Sequence, residues 1–178
     1  MTTPPREVPD KDSFYMGLAF MVGGRSKDPN TQVGSLIVSP KNVPLGWGFN
    51  GPPRRIADDQ LDWSRPNKYP FVQHSERNAI KYARGETVGA TIYITAPPCP
   101  PCMLAIVDAE IDRVVYFRSL SRDNSSMTRN EQEWCITQDI ANRGGVRLEE
   151  FAGEINWLVS WVGKLEEAGA FSSLDRHI

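Results

Sequence analysis

The sequence is poor in the side chains that most often bind metals or form disulfides. Its 178 residues include only two histidines, His74 and His177, and three cysteines, Cys99, Cys102 and Cys135. A secreted, disulfide-stabilised domain would carry a larger and even number of cysteines, so the sequence does not indicate one. Any site built from histidine and cysteine must draw its ligands from this short set.

The sequence also lacks a strong excess of basic charge and any long hydrophobic run. Its formal net charge is -2, whereas a protein that follows a nucleic-acid backbone usually carries a strongly basic face. No apolar stretch approaches the length of a membrane span, and the polar, proline-containing segment 1–12 does not resemble a signal peptide. These absences predict a soluble, cytoplasmic protein that binds a small ligand and neither nucleic acid nor membrane.

Hydrophobic periodicity predicts a single domain over residues 12–168, between flexible tails at 1–11 and 169–178. The elements follow the order α-β-β-α-β-α-β-α-β-α. Because each of the last three strands follows a helix, these strands should run parallel, whereas the first two should pair antiparallel. The pattern therefore predicts an α/β fold, a three-layer α/β/α domain with a five-stranded mixed sheet.

The predicted elements are delimited by glycine, proline and capping residues. The first helix should begin at an N-cap formed by Asp12 or Ser13. The predicted strands cover residues 33–38, 45–50, 90–95, 113–117 and 146–151, and the later helices cover residues 74–84, 102–109, 129–143 and 155–168. The glycines of the second strand should allow another backbone to approach closely.

Two polar connections are candidates for function. Segment 25–30 is either a solvated turn or a loop that contacts an anion. Segment 51–73 is unusually long for a connection inside one domain, and such loops are often functional. Its aromatic residues, Trp63, Tyr69 and Phe71, should anchor it to the rest of the domain.

The segment from His74 to Cys102 contains the parts of a metal centre. His74, Cys99 and Cys102 provide three nitrogen and sulfur ligands, and Glu76 lies two residues after the histidine. A catalytic zinc uses three protein ligands and leaves one position for water. Both ligand segments are predicted to lie at helix N-termini, which favour thiolates and nearby anions. Glu76 would then transfer protons as a general base and acid.

The same residues also fit two other kinds of site. A Cys-x-x-Cys pair is also found in structural zinc sites and in redox proteins. A redox pair does not require the His-x-Glu sequence. A four-ligand structural site would need Cys135 as its last ligand, although the pattern places that residue inside a later helix.

The chain resembles the zinc-dependent cytidine deaminase superfamily, whose signature is His-x-Glu followed by Pro-Cys-x-x-Cys. Within the superfamily it is most similar to the deoxycytidylate (dCMP) deaminases. Together the matching segments indicate a likeness over about residues 12–150; they are Arg25–Gly34, Gly48–Pro53, Lys68–Ile80 and Pro98–Cys102.

The resemblance implies a cytidine deaminase-like fold and the hydrolytic deamination of dCMP to dUMP and ammonia. It implies one catalytic Zn²⁺ per chain on His74, Cys99 and Cys102, with Glu76 protonating N3 of cytosine and then helping ammonia to leave. It also assigns Arg25 to the nucleotide phosphate, Asn50 to the sugar and base, and the carbonyl of Pro97 to the cytosine amino group.

One departure from the family pattern concerns the phosphate. Relatives commonly carry a tyrosine shortly after the fourth strand, but segment 118–123 of this chain contains none. Arg118 or Arg122 is therefore expected to replace that contact.

The resemblance also implies an allosteric homohexamer that is activated by dCTP and inhibited by dTTP, with Mg²⁺ bound to the effector triphosphate. The candidate effector residues, which lie mostly in segment 51–59, could instead form a solvated, charged loop without a ligand. Trp134, Trp157 and Trp161 suit either a subunit interface or a core. The effector candidates are Lys27, Asn30, Gly51, Arg54, Arg55, Asp58 and Asp59.

Three alternatives to a dCMP deaminase follow from the same motifs. They are an enzyme that deaminates both dCMP and dCTP, a tRNA adenosine deaminase, and a non-catalytic zinc module that senses nucleotides. A tRNA deaminase should be more basic and usually lacks an insertion such as 51–73. A structural zinc module should require Cys135.

Overall fold

The computed structural model of the protein describes residues 6–118 and 127–168, with the backbone alone at 127–130. The described chain folds into a five-stranded sheet with helices on both faces. The strands are β1 Gly34–Val38, β2 Pro44–Phe49, β3 Thr91–Ile94, β4 Arg113–Tyr116 and β5 Arg147–Glu150; the helices are α1 Lys11–Gly23, α2 Ser75–Lys81, α3 Pro100–Asp108, α4 Met127–Arg143 and α5 Asn156–Glu167.

The sheet has the strand order β2-β1-β3-β4-β5. β1 pairs antiparallel with β2 and with β3, whereas β3, β4 and β5 are parallel to one another. The predicted strand directions are therefore confirmed. This arrangement brings the C-terminal ends of β2 and β3 and the N-terminal end of β1 to one edge of the sheet, where Gly34 pairs with Phe49 and Ser35 with Ile94.

Each face of the sheet buries its own hydrophobic cluster, so the predicted three-layer α/β/α architecture is confirmed. Side chains alternate along a strand, and Ile37 of β1 faces one cluster while Leu36 and Val38 face the other. The first cluster includes Ala79 of α2 and buried residues of α3 and α4. The second includes Met16 of α1 and packs against residues near α5.

Helix α2 lies unusually close to the sheet because β2 presents glycines to it. A Cβ atom on Gly48 would lie 2.4 Å from both the amide nitrogen of Ala79 and the carbonyl oxygen of Ser75. A Cβ on Gly46 would lie 2.7 Å from Cα of Ala83. The expected close backbone approach is confirmed, and it determines the position of the helix that follows His74.

Helix α1 begins at a different cap from the predicted one. Asp10 is the N-cap, and its Oδ1 accepts a hydrogen bond of 2.9 Å from the amide of Ser13. Asp12 instead accepts two hydrogen bonds from the guanidinium of Arg113 and one from the hydroxyl of Tyr93. The hydrogen bonds from Arg113 lower the pKa of Asp12, despite its partial burial. The prediction was wrong because this carboxylate has a stronger partner, Arg113, on strand β4.

Segment 51–73 is held mainly by a buried lysine and only partly by its aromatic residues. Nε1 of Trp63 donates a hydrogen bond to the carbonyl of Asp58 at the short 3₁₀ turn Asp58–Gln60. Tyr69 and Phe71 remain 57% and 48% exposed, so their predicted role as anchors is wrong. The reason is that Lys68, which is only 3% exposed, ties the segment to the domain through a buried carboxylate.

The three tryptophans of the later helices have different environments. Trp134 packs edge-on against Tyr116, with ring centroids 5.1 Å apart, and Nε1 of Trp157 donates to the carbonyl of Ser13. Trp161 is 44% exposed. Among the described residues, none of the helices combines the length and the hydrophobicity needed to span a bilayer.

Replacing Gly48 by alanine should destabilise the protein by about 3 kcal/mol, because the added methyl group overpacks a contact between backbones. The matched control is Gly163→Ala on α5, where a Cβ meets no atom within 4 Å. That change should instead stabilise the helix by about 0.5–1 kcal/mol. Denaturant unfolding measures the free energy of unfolding of both variants. Equal values would contradict a close contact between α2 and Gly48 of β2.

Candidate active site

His74, Cys99 and Cys102 converge beside the edge of the sheet at which β2 and β3 end. His74 is the N-cap of α2 and Cys99 the N-cap of α3, while Cys102 lies in the first turn of α3. Nδ1 of His74 lies 3.4 Å from Sγ of Cys99 and 3.4 Å from Sγ of Cys102. All three ligand atoms lie within 4.8 Å of one another.

These distances fit a tetrahedral zinc ion. Bond lengths of about 2.05 Å to nitrogen and 2.3 Å to sulfur place the ligand atoms of a tetrahedral site about 3.6 Å apart. Nitrogen and sulfur donors are also the ligands that zinc prefers. Three converging donors, one of them buried and the histidine exposed, leave a side of the cluster open to solvent. The donor set and its spacing therefore match a catalytic zinc site.

The local environment favours one thiolate in the pair of cysteines. Hydrogen bonding from Cys102 and from His74 lowers the pKa of Cys99, against the opposing effect of burial. The contact with Cys99 and burial raise the pKa of Cys102, and the hydrogen bond to Cys99 raises the pKa of His74. The pair therefore holds one negative charge more readily than two, and both thiols are deprotonated when they become metal ligands.

Glu76 is buried beside the cluster, with 4% of its surface exposed. Its Oε2 accepts a 3.0 Å hydrogen bond from the hydroxyl of Ser75, which lies 2.7 Å from the hydroxyl of Ser35. Burial raises the pKa of Glu76, although the nearby His74 acts in the opposite direction. A carboxyl group with a raised pKa can both accept and return a proton near neutral pH, as general acid–base catalysis requires.

Asn50 is placed next to the metal-binding residues by the backbone. The following residue, Gly51, exchanges two backbone hydrogen bonds with Gln73, of 3.0 and 2.9 Å. Because Gln73 immediately precedes His74, the end of β2 and the start of α2 lie side by side. The side chain of Asn50 is buried and bonded to segment 28–33.

The other predicted substrate contacts lie on the surface or outside the described residues. Arg25 is exposed just after α1, and within residues 6–118 and 127–168 its guanidinium has no hydrogen-bond or ion-pair partner. Pro97 is exposed two residues before Cys99. Arg118 is exposed and pairs with Glu150 at 3.3 Å. Arg122 lies outside the described residues, so its predicted role stays a prediction.

The predicted effector residues fall into two places. Lys27 forms an ion pair with Asp58, and the side-chain amide of Asn30 donates to the carbonyl of Trp63, so both join segment 25–33 to segment 51–73. Gly51 and Arg54 instead line a groove of about 720 Å³ along β2 and α2. Arg54 lies over the ring of Tyr82, 4.8 Å from its centroid. Arg55 and Asp59 are exposed on the same segment.

Cys135 does not complete a four-ligand site. It is exposed on α4 and does not belong to the cluster formed by the other two cysteines and His74 in the described part of the chain. The structural-zinc interpretation is therefore wrong for this residue. The remaining histidine, His177, lies outside the described residues.

Sequence reasoning missed four buried polar residues around the site: Ser35, Ser75, Asp28 and Lys68. Ser35 gives a weak signal, because it is a polar residue inside the otherwise apolar strand β1. Ser75 lies between two residues that were assigned roles. Asp28 and Lys68 resemble ordinary loop residues, and lysine in particular is almost never fully buried without a partner.

Residues 9–118 match the family model of the cytidine and deoxycytidylate deaminase zinc-binding region. This match spans the zinc cluster, Glu76 and Asn50. The chain belongs to this deaminase family. The cluster of His74, Cys99 and Cys102, with Glu76 beside it, lies within the matched zinc-binding region.

Relatives extend the likeness beyond the zinc-binding region. The chain is 38% identical over 153 residues to human deoxycytidylate deaminase, covering 82% of each protein. It is 33% identical over 144 residues to an uncharacterised deaminase of Aliivibrio fischeri, covering 81% of this chain and 90% of that protein. The dCMP deaminase of cyanophage S-TIM5, solved with dCMP and dUMP, superposes with a TM-score of 0.60 at 23% identity over 82% of this chain and 100% of that one. This superposition confirms the predicted fold.

Replacing Cys102 by serine should remove bound zinc, because the weaker oxygen donor leaves only two strong ligands. Cys135→Ser is the matched control, and it should retain the zinc content of the unaltered protein. Elemental analysis of the purified variants measures this. Loss of zinc from Cys135→Ser, or its retention by Cys102→Ser, would refute the assignment.

Proposed function

We propose that this protein catalyses the hydrolytic deamination of dCMP to dUMP and ammonia. The observation that carries the proposal is the buried Glu76 beside the His74, Cys99 and Cys102 cluster. The substrate is suggested by the 38% identity to a deoxycytidylate deaminase over most of both chains. Water is the second substrate, so the exocyclic amino group of cytosine leaves as ammonia and oxygen takes its place at C4.

Glu76 is the proton carrier in this proposal. Zinc held by His74, Cys99 and Cys102 would lower the pKa of a water molecule toward neutrality. Glu76 accepts a proton from the attacking water, passes it to N3 of cytosine and delivers the next one to the departing amino group. The hydrogen bond from Ser75 holds the carboxylate in place, and burial raises its pKa, which favours binding of a proton.

The nucleotide is held by residues around the edge of the sheet. Asn50 faces the sugar and base next to His74, and the carbonyl of Pro97 accepts a hydrogen bond from the cytosine amino group. The guanidinium of Arg25, which has no partner among the described residues, suits a phosphate, since arginine can bind phosphate oxygens in a bidentate manner. Arg118, although paired with Glu150 on the surface, and Arg122 are the further phosphate candidates.

We also propose regulation by nucleoside triphosphates in a homo-oligomer, with dCTP as activator, dTTP as inhibitor, Mg²⁺ on the triphosphate and a hexamer as the assembly. The groove along β2 and α2 supports a nucleotide effector, because it combines the cation of Arg54 with the rings of Trp47 and Tyr82. The exposed aromatic side chains of Trp47, Tyr69 and Phe71 support a subunit interface.

The purified enzyme should convert dCMP to dUMP with the release of ammonia, and Glu76→Gln should lower kcat by about 10²–10⁴-fold while it retains zinc. The matched control Glu86→Gln alters an exposed carboxylate and should leave turnover unchanged. Chromatography of products and an ammonia assay follow the reaction. The absence of turnover with or without dCTP and Mg²⁺ would reject the proposal, and equal turnover of dCTP would favour an enzyme with two substrates.

Mg²⁺–dCTP should shift the dCMP saturation curve of the unaltered enzyme to lower concentrations. Arg54→Ala should abolish this shift, because the groove loses its cation for the triphosphate. Arg147→Ala removes an exposed arginine on β5, the outermost strand on the side away from β2, and should preserve the shift. Initial rates across dCMP concentrations measure the effect, and a curve that dCTP does not alter would disprove regulation at this groove.

A further inference from the structure

The structure contains a buried ion pair that the deamination chemistry does not use. Asp28 and Lys68 are 2% and 3% exposed, and Nζ of Lys68 lies 2.6 Å from Oδ1 of Asp28. Burying two charges is costly, and a buried lysine is rare unless it has a partner. The pair joins segment 25–33 to segment 51–73 beside the proposed nucleotide site. This position suggests a function in nucleotide binding.

Asp28 organises the backbone of the segment that follows it. Its Oδ1 accepts hydrogen bonds from the amides of Asn30, at 2.9 Å, and Thr31, at 3.2 Å. Lys68 binds both oxygens of the same carboxylate. The side chain of Asp28 is therefore held from both sides, and residues 28–31 are fixed in one turn.

The turn at residues 28–31 holds the side-chain amide of Asn50. Nδ2 of Asn50 donates to the carbonyl of Thr31 at 2.9 Å and lies 3.4 Å from Oδ2 of Asp28, while its Oδ1 accepts from the amide of Val33 at 2.8 Å. Because the amide of Val33 requires an acceptor, the orientation of the Asn50 amide is fixed. Both donors of Nδ2 are then used, and one lone pair of Oδ1 remains for a ligand.

We propose that the buried pair of Lys68 and Asp28 positions Asn50 for nucleotide binding, which makes Lys68 a positioning residue. This inference rests on the proposed function, since it assumes that Asn50 contacts the substrate. With Nδ2 committed to the protein, Asn50 acts as a hydrogen-bond acceptor and recognises a donor such as a sugar hydroxyl. The pair transmits no proton and takes no part in the chemistry at C4.

The same two segments provide a matched control for this role. Arg65 of segment 51–73 donates a 2.8 Å hydrogen bond to the side-chain hydroxyl of Thr31, and the arginine is exposed. An exposed polar contact of this kind contributes little to stability. Arg65 does not contact Asn50 in the described part of the chain, so it joins the segments without positioning the amide.

The test is steady-state kinetics with dCMP on zinc-loaded variants. Lys68→Met should raise KM about tenfold or more with kcat changed less than about threefold, because only substrate binding is affected. Arg65→Met should leave both constants within about twofold. The double variant Asp28→Asn/Lys68→Met removes the buried charge, while the oxygen of the new side-chain amide can still accept the turn hydrogen bonds. This variant should recover part of the lost affinity.

Several results would overturn this inference. One is an unchanged KM in folded, zinc-loaded Lys68→Met, and another is an equal effect in Arg65→Met. Failure of both the Lys68→Met and the double variants to fold would show that the pair is purely structural. These outcomes all assume an unaltered enzyme that deaminates dCMP, whereas an inactive unaltered enzyme would reject the proposed function itself.

Discussion

The direct contact between helix α2 and the glycines of β2 determines the geometry of the whole site. Gly48 lets the helix backbone approach the strand, so the helix N-terminus lies at the end of that strand. His74 and Glu76 are carried by this N-terminus, and Asn50 is carried by the strand end. The proposed metal ligand, proton carrier and substrate contact thus share one rigid support.

Cys99 and Cys102 are positioned by a second strand–helix unit, in which β3 leads into α3. Because β2 and β3 both pair antiparallel with β1, they end at the same edge of the sheet, and Cys99, the N-cap of α3, lies beside His74. Helix N-termini favour negative charge, which suits thiolates and a carboxylate in the same small volume. The apolar clusters on the two faces of the sheet make this arrangement stable without a disulfide among the described cysteines.

Hydrophobic periodicity and short motifs predicted the features that depend on neighbouring residues in the sequence, but not the contacts between distant ones. The cluster of His74, Cys99 and Cys102 could be predicted because these residue types and their short spacings carry chemical meaning, and the strands could be predicted because β-branched runs alternate with helical ones. The partners of Asp12 and Lys68 were missed because they lie 101 and 40 residues away in the sequence. A carboxylate that suits a helix cap equally suits a distant arginine, and only the fold decides between them.

The two-residue bridge between Gly51 and Gln73 allows the length of segment 51–73 to change without moving Asn50 or His74. It closes segment 51–73 at its base, so the ends of that loop stay together whatever its length. Insertions or deletions near its exposed tip would leave Asn50 and His74 in register, at only a small entropic cost for each added residue. The loop can therefore acquire new surfaces in evolution while the chemistry beneath it is retained.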